Sequence, residues 1–428
     1  MSKLHKYAFS DLYDISSGIS STKEQAGHGA PFVSFSTVFN NSFLPDELPD
    51  LMDTSAVDQE KCSVKKGDIL ITRTSETVDE LAMSCVVLKD YPKATFSGFV
   101  KRLRPKTTGV AYDKYMAFFL RSEYFRKVIN AKTIMTLRAS FNEDIFSFLD
   151  LYLPDYEEQV KIGDFLYNIE NKIQCNKKIN DNLQHQLKLM YDYWFTQFDF
   201  PDENGKPYRA SGGAMVWNEQ LKCKTPQNWK VSTVSDCVDK ISTGLNPRDN
   251  FVLGNGDIRY ITVKNLTATG SLDFSGCDTI DEDARAIVHR RSDISAGDIL
   301  FASIAPLGRC YLIQQDPVDW DINESVFSIR SKTDTVTPEF MYLYFQSDSF
   351  IQKATNTSTG SIFKGIRINT LLDTALIVPE LQVCKSFTDA VKSLLAEINN
   401  NSSETAKLTA LRDWLLPMLM NGQATIAH

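Results

Sequence analysis

Neither a Cys-x-x-Cys pair nor a histidine cluster occurs in this 428-residue sequence, although it holds eight cysteines (Cys62, Cys85, Cys175, Cys223, Cys237, Cys277, Cys310, Cys384) and five histidines. The expectation is a thiol-reduced, metal-free chain in the cytoplasm. Also missing is any run of some 18 uninterrupted apolar residues, and no apolar stretch follows Lys3, His5 and Lys6. Neither a membrane span nor a signal peptide is therefore expected. Positive charge is in deficit, with 46 Lys and Arg against 54 Asp and Glu and a net charge of -8, which argues against wholesale coating of nucleic acid. There is no Gly-rich phosphate loop ending in Lys-Ser or Lys-Thr, no His-Glu-x-x-His and no zinc spacing; Gly254-Asn255-Gly256 is a lone glycine pair of the kind that makes a turn. Asn246-Pro247-Arg248 and Asp316-Pro317-Val318 come nearest to the Asn-Pro-Pro-Tyr and Asp-Pro-Pro-Tyr motifs, but lack the second proline and the aromatic that would stack on a flipped base. The chain is expected to catalyse nothing alone.

What is present is ordinary globular composition, 43% hydrophobic and 23% charged, in a length that suits two to four domains at roughly 100–200 residues each. Charge is uneven. Ser97 to Arg138 carries ten basic residues (Lys101, Arg102, Arg104, Lys106, Lys114, Arg121, Arg126, Lys127, Lys132, Arg138) against Asp113 and Glu123, whereas Pro45 to Glu60 holds six acids and no base.

The chain is a tandem repeat with a spacing of about 225 residues. Ile15-Ser16-Ser17-Gly18 returns as Ile241-Ser242-Thr243-Gly244, and Gly67-Asp68-Ile69-Leu70 returns unchanged as Gly297-Asp298-Ile299-Leu300. Lys114-Tyr115-Met116 matches Glu339-Phe340-Met341, and Pro154 matches Pro379. After each proline the pattern switches to a helical period. Ile162, Leu166, Ile169 and Ile173 step by four, three and four, as do Phe387, Val391, Leu394 and Ile398. Leu183, Met190, Tyr191 and Trp194 likewise pair with Leu408, Leu415, Leu416 and Leu419. Both stripes read as coiled-coil seams that pack on one another, each helix on the order of 60 Å long. Between the halves of each stripe lie Asn176, Asn180 and Asn182, and Asn399, Asn400 and Asn401, where a polar seam would set register.

Ahead of each helix, short β-branched and aromatic runs such as Phe32-Val33-Ser34-Phe35 and Tyr260-Ile261-Thr262-Val263 predict strands, with helix at Tyr115 to Ile129 and Phe340 to Ala354. The order is globule (1–153), long helix (154–199), linker (200–228), globule (229–378), long helix (379–422). The fold class is α+β. Exposure of seam residues such as Trp194 would make the lone chain unstable.

A duplex reader needs phosphate anchors together with side chains that reach base edges. Candidates in equivalent loops are Arg138 and Ser140 in the first half, and Thr359, Gly360, Ser361, Lys364 and Arg367 in the second. Ser17 and Gly18, Thr243 and Gly244, and Lys264 and Asn265 extend the set, as do Lys101, Arg102 and Arg104 from the basic run. For each, a solvated loop or surface is the competing explanation. The Gly-Asp-Ile-Leu repeats read as turns leading into buried strands.

Pro154-Asp155-Tyr156-Glu157-Glu158-Gln159, then Lys161-Ile162 and Asn176-Lys177-Lys178-Ile179-Asn180, resemble the helix opening of the specificity (S) subunit of type I restriction-modification systems. Trp194-Phe195 to Phe198-Asp199-Phe200, with Gly205-Lys206-Pro207-Tyr208 and Ser211-Gly212-Gly213, looks like that family's central region. Leu411-Arg412-Asp413-Trp414-Leu415-Leu416-Pro417 and Leu419-Met420-Asn421-Gly422 resemble its closing helix. The second helix departs from the pattern, opening Pro379-Glu380-Leu381-Gln382-Val383 without Glu-Glu-Gln, which bears on the symmetry of partner docking.

The resemblance implies two similar target recognition domains of mixed strands and small helices, separated by two long helices packed as an antiparallel coiled coil with pseudo-twofold symmetry. It implies a non-catalytic subunit that binds an asymmetric, two-part site in double-stranded DNA. Its helices would set the spacer and dock two methylase subunits that modify adenine N6, and nuclease and translocase subunits would cut unmodified DNA. The candidates for helix pairing or methylase docking are Ile162, Leu166, Ile169, Ile173, Leu183, Met190, Trp194, Phe387, Val391, Leu394, Ile398, Leu408, Leu415 and Leu419. S-adenosylmethionine, ATP and Mg2+ would sit on the partners and none on this chain. Two rivals differ in class: a free-standing coiled-coil DNA-binding regulator, and a protein-binding scaffold that makes no salt-dependent contact with DNA.

Overall fold

The computed structural model describes residues 4–75, 80–132, 139–220, 222–357 and 365–426. The chain forms two compact units, Met1–Ile173 with Lys407–His428, and Gln174–Ala406. Each contains one globule and one stretch of paired long helices.

The two globules share one topology. In the first, Tyr13–Ser17, Val100–Pro105, Ile69–Thr72 and Ser84–Val86 form an antiparallel four-stranded sheet in that spatial order. Ala26–Val33 pairs antiparallel with Asp50–Met52 and parallel with Thr95–Phe96. Leu4–Ala8 pairs with Asp150–Pro154, tying the start of the globule to its end. In the second, the four-stranded sheet runs Val238–Thr243, Val326–Ser331, Ile299–Ala302, Cys310–Leu312. Ile258–Ile261 pairs with Asp278–Ile280 and, in parallel, with Trp320–Ile322, while Lys230–Thr233 pairs with Ala375–Val378. Each of these strand partnerships of the first globule therefore has its counterpart here. The Ile-Leu of each Gly-Asp-Ile-Leu motif opens a strand whose four residues are all buried, as expected for a turn that feeds a core strand.

The expected single helix at Tyr115 to Ile129 is two, Asp113–Phe119 and Glu123–Lys132; Phe340 to Ala354 likewise divides into Pro338–Gln346 and Asp348–Thr357. A serine causes each break. Ser122 and Ser347 accept from the amides of Phe125 and Phe350 at 3.3 Å, so each hydroxyl caps a new helix at the point where the apolar stripe alone would continue.

Tyr156–Tyr191 is the first long helix, with Glu157 and Glu158 in its first turn where they favour the positive end of the helix dipole. Gln159, 1% exposed, accepts from Tyr112 N at 3.0 Å and donates to Val110 O and Pro154 O at 2.9 Å. The glutamine thus fastens the helix start to its globule. The second long helix, Leu381–Met420, has the thiol Cys384 buried in its apolar core at the equivalent turn and no such amide. The first long helix passes into a short π turn at Asp192–Thr196.

The helices run antiparallel within each unit. In the first, Ile162 and Leu166 share a core with Leu419 and Met420, and Arg412 bridges to Glu170 at 2.6 Å. In the second, Leu187, Tyr191 and Trp194 pack with Phe387, Val391, Leu395 and Ile398. Ile169 and Ile173 are buried, and Leu183, Met190, Leu394 and Leu415 are half-buried against these cores. Leu395 takes the buried position expected of Leu394, one residue along, and Leu408 is half-buried. Trp194 is 8% exposed, with its ring 5.3 Å from that of Phe387, so the exposed seam expected there is instead closed; the exposed tryptophans are Trp217 and Trp414.

The segment expected as a linker is folded. Met215–Asn218 pairs with Cys223–Pro226, and Phe200 stacks between Tyr208 and Trp229 at centroid distances of 4.6 and 5.0 Å. Its glycines and prolines shape turns around this aromatic stack. No helix among the described residues is long and apolar enough to cross a membrane.

Candidate nucleic-acid interface

In each globule the ends of three of the four sheet strands and the loops that follow them are joined by one hydrogen-bond relay. In the first globule Gly18 N donates to Val100 O at 3.4 Å, Arg73 N to Phe99 O at 2.8 Å and Phe141 N to Arg73 O at 2.7 Å, while Ser140 pairs with Thr74. In the second, Gly244 N donates to Asn323 O at 3.1 Å, Ser303 N to Ser325 O at 3.1 Å and Ile366 N to Ser303 O at 2.9 Å, while Ile304 bridges to Gly365. The turn holding Lys264 joins the same end, because Asn323 N donates to Ile261 O at 2.8 Å. The structure therefore gathers the loop candidates Ser17, Gly18 and Ser140 at one sheet end of the first globule. Thr243, Gly244, Lys264, Asn265 and Arg367 gather at the matching end of the second.

Not all of these present a side chain outward. Ser17, Lys264 and Arg367 are exposed and Ser140 is half-buried. Asn265 is 6% exposed: its amide oxygen accepts from Thr262 N and its amide nitrogen donates to Asp273 O, so it closes its own turn and no edge remains to read a base. Thr243 is buried and donates to Gly244 O. Gly18 and Gly244 are needed for close backbone approach, since a Cβ at either would overlap the carbonyl oxygen of Phe96 or Ile322. Arg138, Thr359, Gly360, Ser361 and Lys364 lie outside the described residues.

The basic run is mostly consumed inside the fold. Lys101 is 6% exposed and donates to Ser17 Oγ at 2.8 Å, with Glu143 at 3.6 Å. Arg102 donates to Ser63 O at 2.6 Å; burial, then the neighbouring Arg104 charge, pull its guanidinium below its ordinary value. Arg104 grips the buried Asp68 through two nitrogens, each at 2.7 Å, and that bond raises its guanidinium above the ordinary value. Arg121 spans the carbonyls of Ser84, Val38, Phe39 and Asn41 at 2.6 to 3.0 Å. Cations committed to such partners, buried for Lys101 and Arg102 and half-buried for Arg104 and Arg121, hold loops in place and are not phosphate anchors. Lys101, Arg102 and Arg104 thus depart from the expected role.

Two residues absent from the sequence-based set stand at the same sheet end: Arg73, which is exposed, and Phe99, 61% exposed. Neither belongs to a motif. Only the relay brings them beside Ser140, so strand pairing was the signal that could have found them.

All eight cysteines are free, and burial pushes the Cys85 thiol up to about 12, the behaviour of an inert core thiol. Among the described residues no group of three or more His, Cys, Asp and Glu is placed to hold a metal.

The sequence matches the family described as type I restriction modification DNA specificity domain, over residues 1–185 and 226–409. Each match takes in one globule and most of the helix after it. The chain is similar to the type I restriction enzyme HindI specificity subunit of Haemophilus influenzae, 24% identical over 96% of this chain and 98% of that one. It is 22% identical to the MjaIX specificity subunit of Methanocaldococcus jannaschii, over 94% of this chain and 89% of the other. The crystal structure of a type I restriction-modification S subunit from M. genitalium shares the fold, with a TM-score of 0.56 at 15% identity over 98% and 96% of the two chains. The relay repeated in two globules, the antiparallel helices within each unit and the two family matches all point one way: this chain belongs to the type I restriction-modification DNA specificity family.

Proposed function

We propose that this chain is the sequence-reading subunit of a type I restriction-modification assembly, in which each globule reads one part of a bipartite, asymmetric site in double-stranded DNA. The observation that carries the reading is the duplicated relay, which presents a similar set of loops at the same sheet end of both globules. The first recognition domain is 1–153 and the second 229–378. The helices 154–199 and 379–422 act as spacer and as docking surface for two methylase subunits, with the folded segment 200–228 between them. Ser17, Ser140, Lys264 and Arg367 contact DNA, as do Arg138, Thr359, Gly360, Ser361 and Lys364. The methylase subunits bring S-adenosylmethionine and transfer its methyl group to adenine N6. Nuclease and translocase subunits, using ATP and Mg2+, cut unmodified sites.

The acidic total is compatible with this role when the partners supply phosphate neutralisation. The test is co-expression with the methylase encoded beside it and genome-wide mapping of N6-methyladenine, with and without this chain. A split motif with a fixed gap that appears only when the chain is present is the expected result. Methylation indifferent to the chain, although the complex forms, would overturn the reading.

A further inference from the structure

We propose that Arg73 is the side chain by which the first globule selects a guanine, and that the second globule has no counterpart. The inference rests on the reading above and assigns one position within it.

The backbone of Arg73 is held from two sides, its N–H on Phe99 O and its carbonyl on Phe141 N. The preceding Thr72 N donates to Met83 O at 2.9 Å, and the following Thr74 pairs with Ser140. Three segments, around Phe99, Met83 and Ser140–Phe141, thus fix where the side chain leaves the sheet. The guanidinium itself is exposed, and among the described residues no hydrogen bond or ion pair engages it. That sets it apart from Arg102, Arg104 and Arg121, which donate to Ser63 O, to Asp68 and to four carbonyls.

A phosphate anchor needs only charge and reach. A base reader needs a fixed origin, because the two parallel N–H groups of arginine must meet O6 and N7 of guanine together. The pinned backbone supplies such an origin. Beside it, Phe99 holds an apolar ring 61% open to solvent on the residue whose carbonyl receives the Arg73 amide. An exposed aromatic next to an unengaged arginine suits contact with stacked bases and sugars better than free solvent.

The relay identifies the equivalent positions in the second globule. Ser303 stands where Arg73 does and Ser325 where Phe99 does. The Ser303 hydroxyl turns inward and donates to Ser325 O at 2.6 Å. Neither of these two positions carries a long donor, so the two globules read their half-sites by different means although their relays correspond.

The experiment uses the full complex with its methylase subunits and maps N6-methyladenine for the wild-type chain, Arg73→Ala and Arg73→Lys. Arg73→Ala is expected to relax discrimination at one G·C pair of one half-site by about tenfold or more, leaving the other half-site unchanged. Arg73→Lys keeps the charge but loses the fork, and is expected to relax the same position; it also serves where Arg73→Ala fails to assemble. An unchanged motif with methylation lowered evenly at all sites would reassign Arg73 to phosphate and overturn the proposal, as would a lysine variant indistinguishable from wild type. A wild-type chain that directs no motif would instead sink the underlying functional reading, and that outcome is seen before any variant is made.

Discussion

Asn401 donates its side-chain amide to Asn180 Oδ1 at 3.0 Å, and Asn180 donates in turn to Ile398 O and Ser402 Oγ, both at 3.1 Å. The asparagines are 7% and 6% exposed, on facing helices of one unit. Asn176, fully buried one turn away, donates to Glu404 at 2.7 Å. Apolar seams tolerate a slide of one helical turn, whereas these amide hydrogen bonds form in one alignment only.

Asn180→Ala strands the Asn401 amide in a dry seam and removes two further bonds. A loss of about 1–3 kcal/mol is expected in urea unfolding of the chain. The double variant Asn180→Leu with Asn401→Leu is expected to recover most of that stability, because both polar partners are removed together. Cysteine pairs placed across the helices would then report neighbouring registers that the wild type does not populate. A single alanine variant as stable as wild type would remove the asparagines from this role.

The two Gly-Asp-Ile-Leu motifs end in the same ion pair. Asp68 receives two nitrogens of Arg104, each at 2.7 Å, and the amide of Lys65 at 2.8 Å. Asp298 receives two nitrogens of Arg330 at 2.7 and 2.8 Å and the amide of Ser295 at 3.0 Å. Both aspartates are sealed from solvent while about a third of each arginine is open. Arg104→Ala and Arg330→Ala should each cost about 2–4 kcal/mol, toward the lower end of what breaking a buried pair costs because of that solvent access. Lys106→Ala, whose partners are exposed, should lie within about 0.5 kcal/mol of wild type. Thermal melts of the three variants make the comparison, and equal losses for Arg104 and Lys106 would refute it.

Periodicity and repetition carried the architecture in the sequence because burial imposes them directly. Ile162, Leu166, Ile169 and Ile173 could be read as a seam since each must leave water at its helical interval. Side-chain direction has no such imprint. Arg102 and Arg73 are the same residue type in neighbouring strands or loops, yet one is buried on Ser63 O and the other exposed, and only strand register decides between them. Asn265 and Lys264 diverge in the same way within a single turn. The break at Ser122 was missed because a serine cap competes with an unbroken apolar stripe, and the hydroxyl's partner is set by local geometry. The fold of 200–228 was missed because glycines and prolines mark turns without saying that Phe200, Tyr208 and Trp229 will stack.

Asp321 lies buried between Ser292 and His289, receiving Ser292 Oγ at 2.6 Å and facing His289 Nδ1 at 3.0 Å. Burial is the main cause that raises its carboxyl above the ordinary 3.8, with the bonds from Ser292, the Ile322 amide and His289 pulling the other way. Its folded-state value lies above the unfolded one, so the native state holds this proton more tightly. That contribution to stability is fully present below the unfolded value and is lost as pH rises through the folded one. Asp321→Asn has no such proton to lose. In the pH window above 3.8 its urea midpoint should therefore gain on that of the wild type. Parallel profiles across that window would contradict the burial argument.

Gly18 and Gly244 occupy the same corner in the two globules, where the strands Tyr13–Ser17 and Val238–Thr243 run into the relay. Both have negative φ, so the need for glycine arises from space and not from a left-handed conformation. An added methyl would meet the Phe96 and Ser97 carbonyls in one case and the Ile322 carbonyl in the other. These are backbone atoms tied into sheets on their far side, Phe96 to Val33 and Ile322 to Ile261, and they cannot swing aside as a side chain would. Gly18→Ala and Gly244→Ala should each destabilise their own globule by about 1–3 kcal/mol or more, the usual scale of overpacking. Gly27→Ala has open space around it but a φ of +89°, and should cost only about 1 kcal/mol, the strain of a left-handed alanine. Hydrogen exchange resolved by peptide separates the two effects. In Gly244→Ala, protection should fall in Val238–Thr243 and Trp320–Ile322 while Tyr13–Ser17 keeps its own, and in Gly18→Ala the pattern should reverse. Loss of protection in both globules from either substitution would mean that the two repeats do not fold as separate cores.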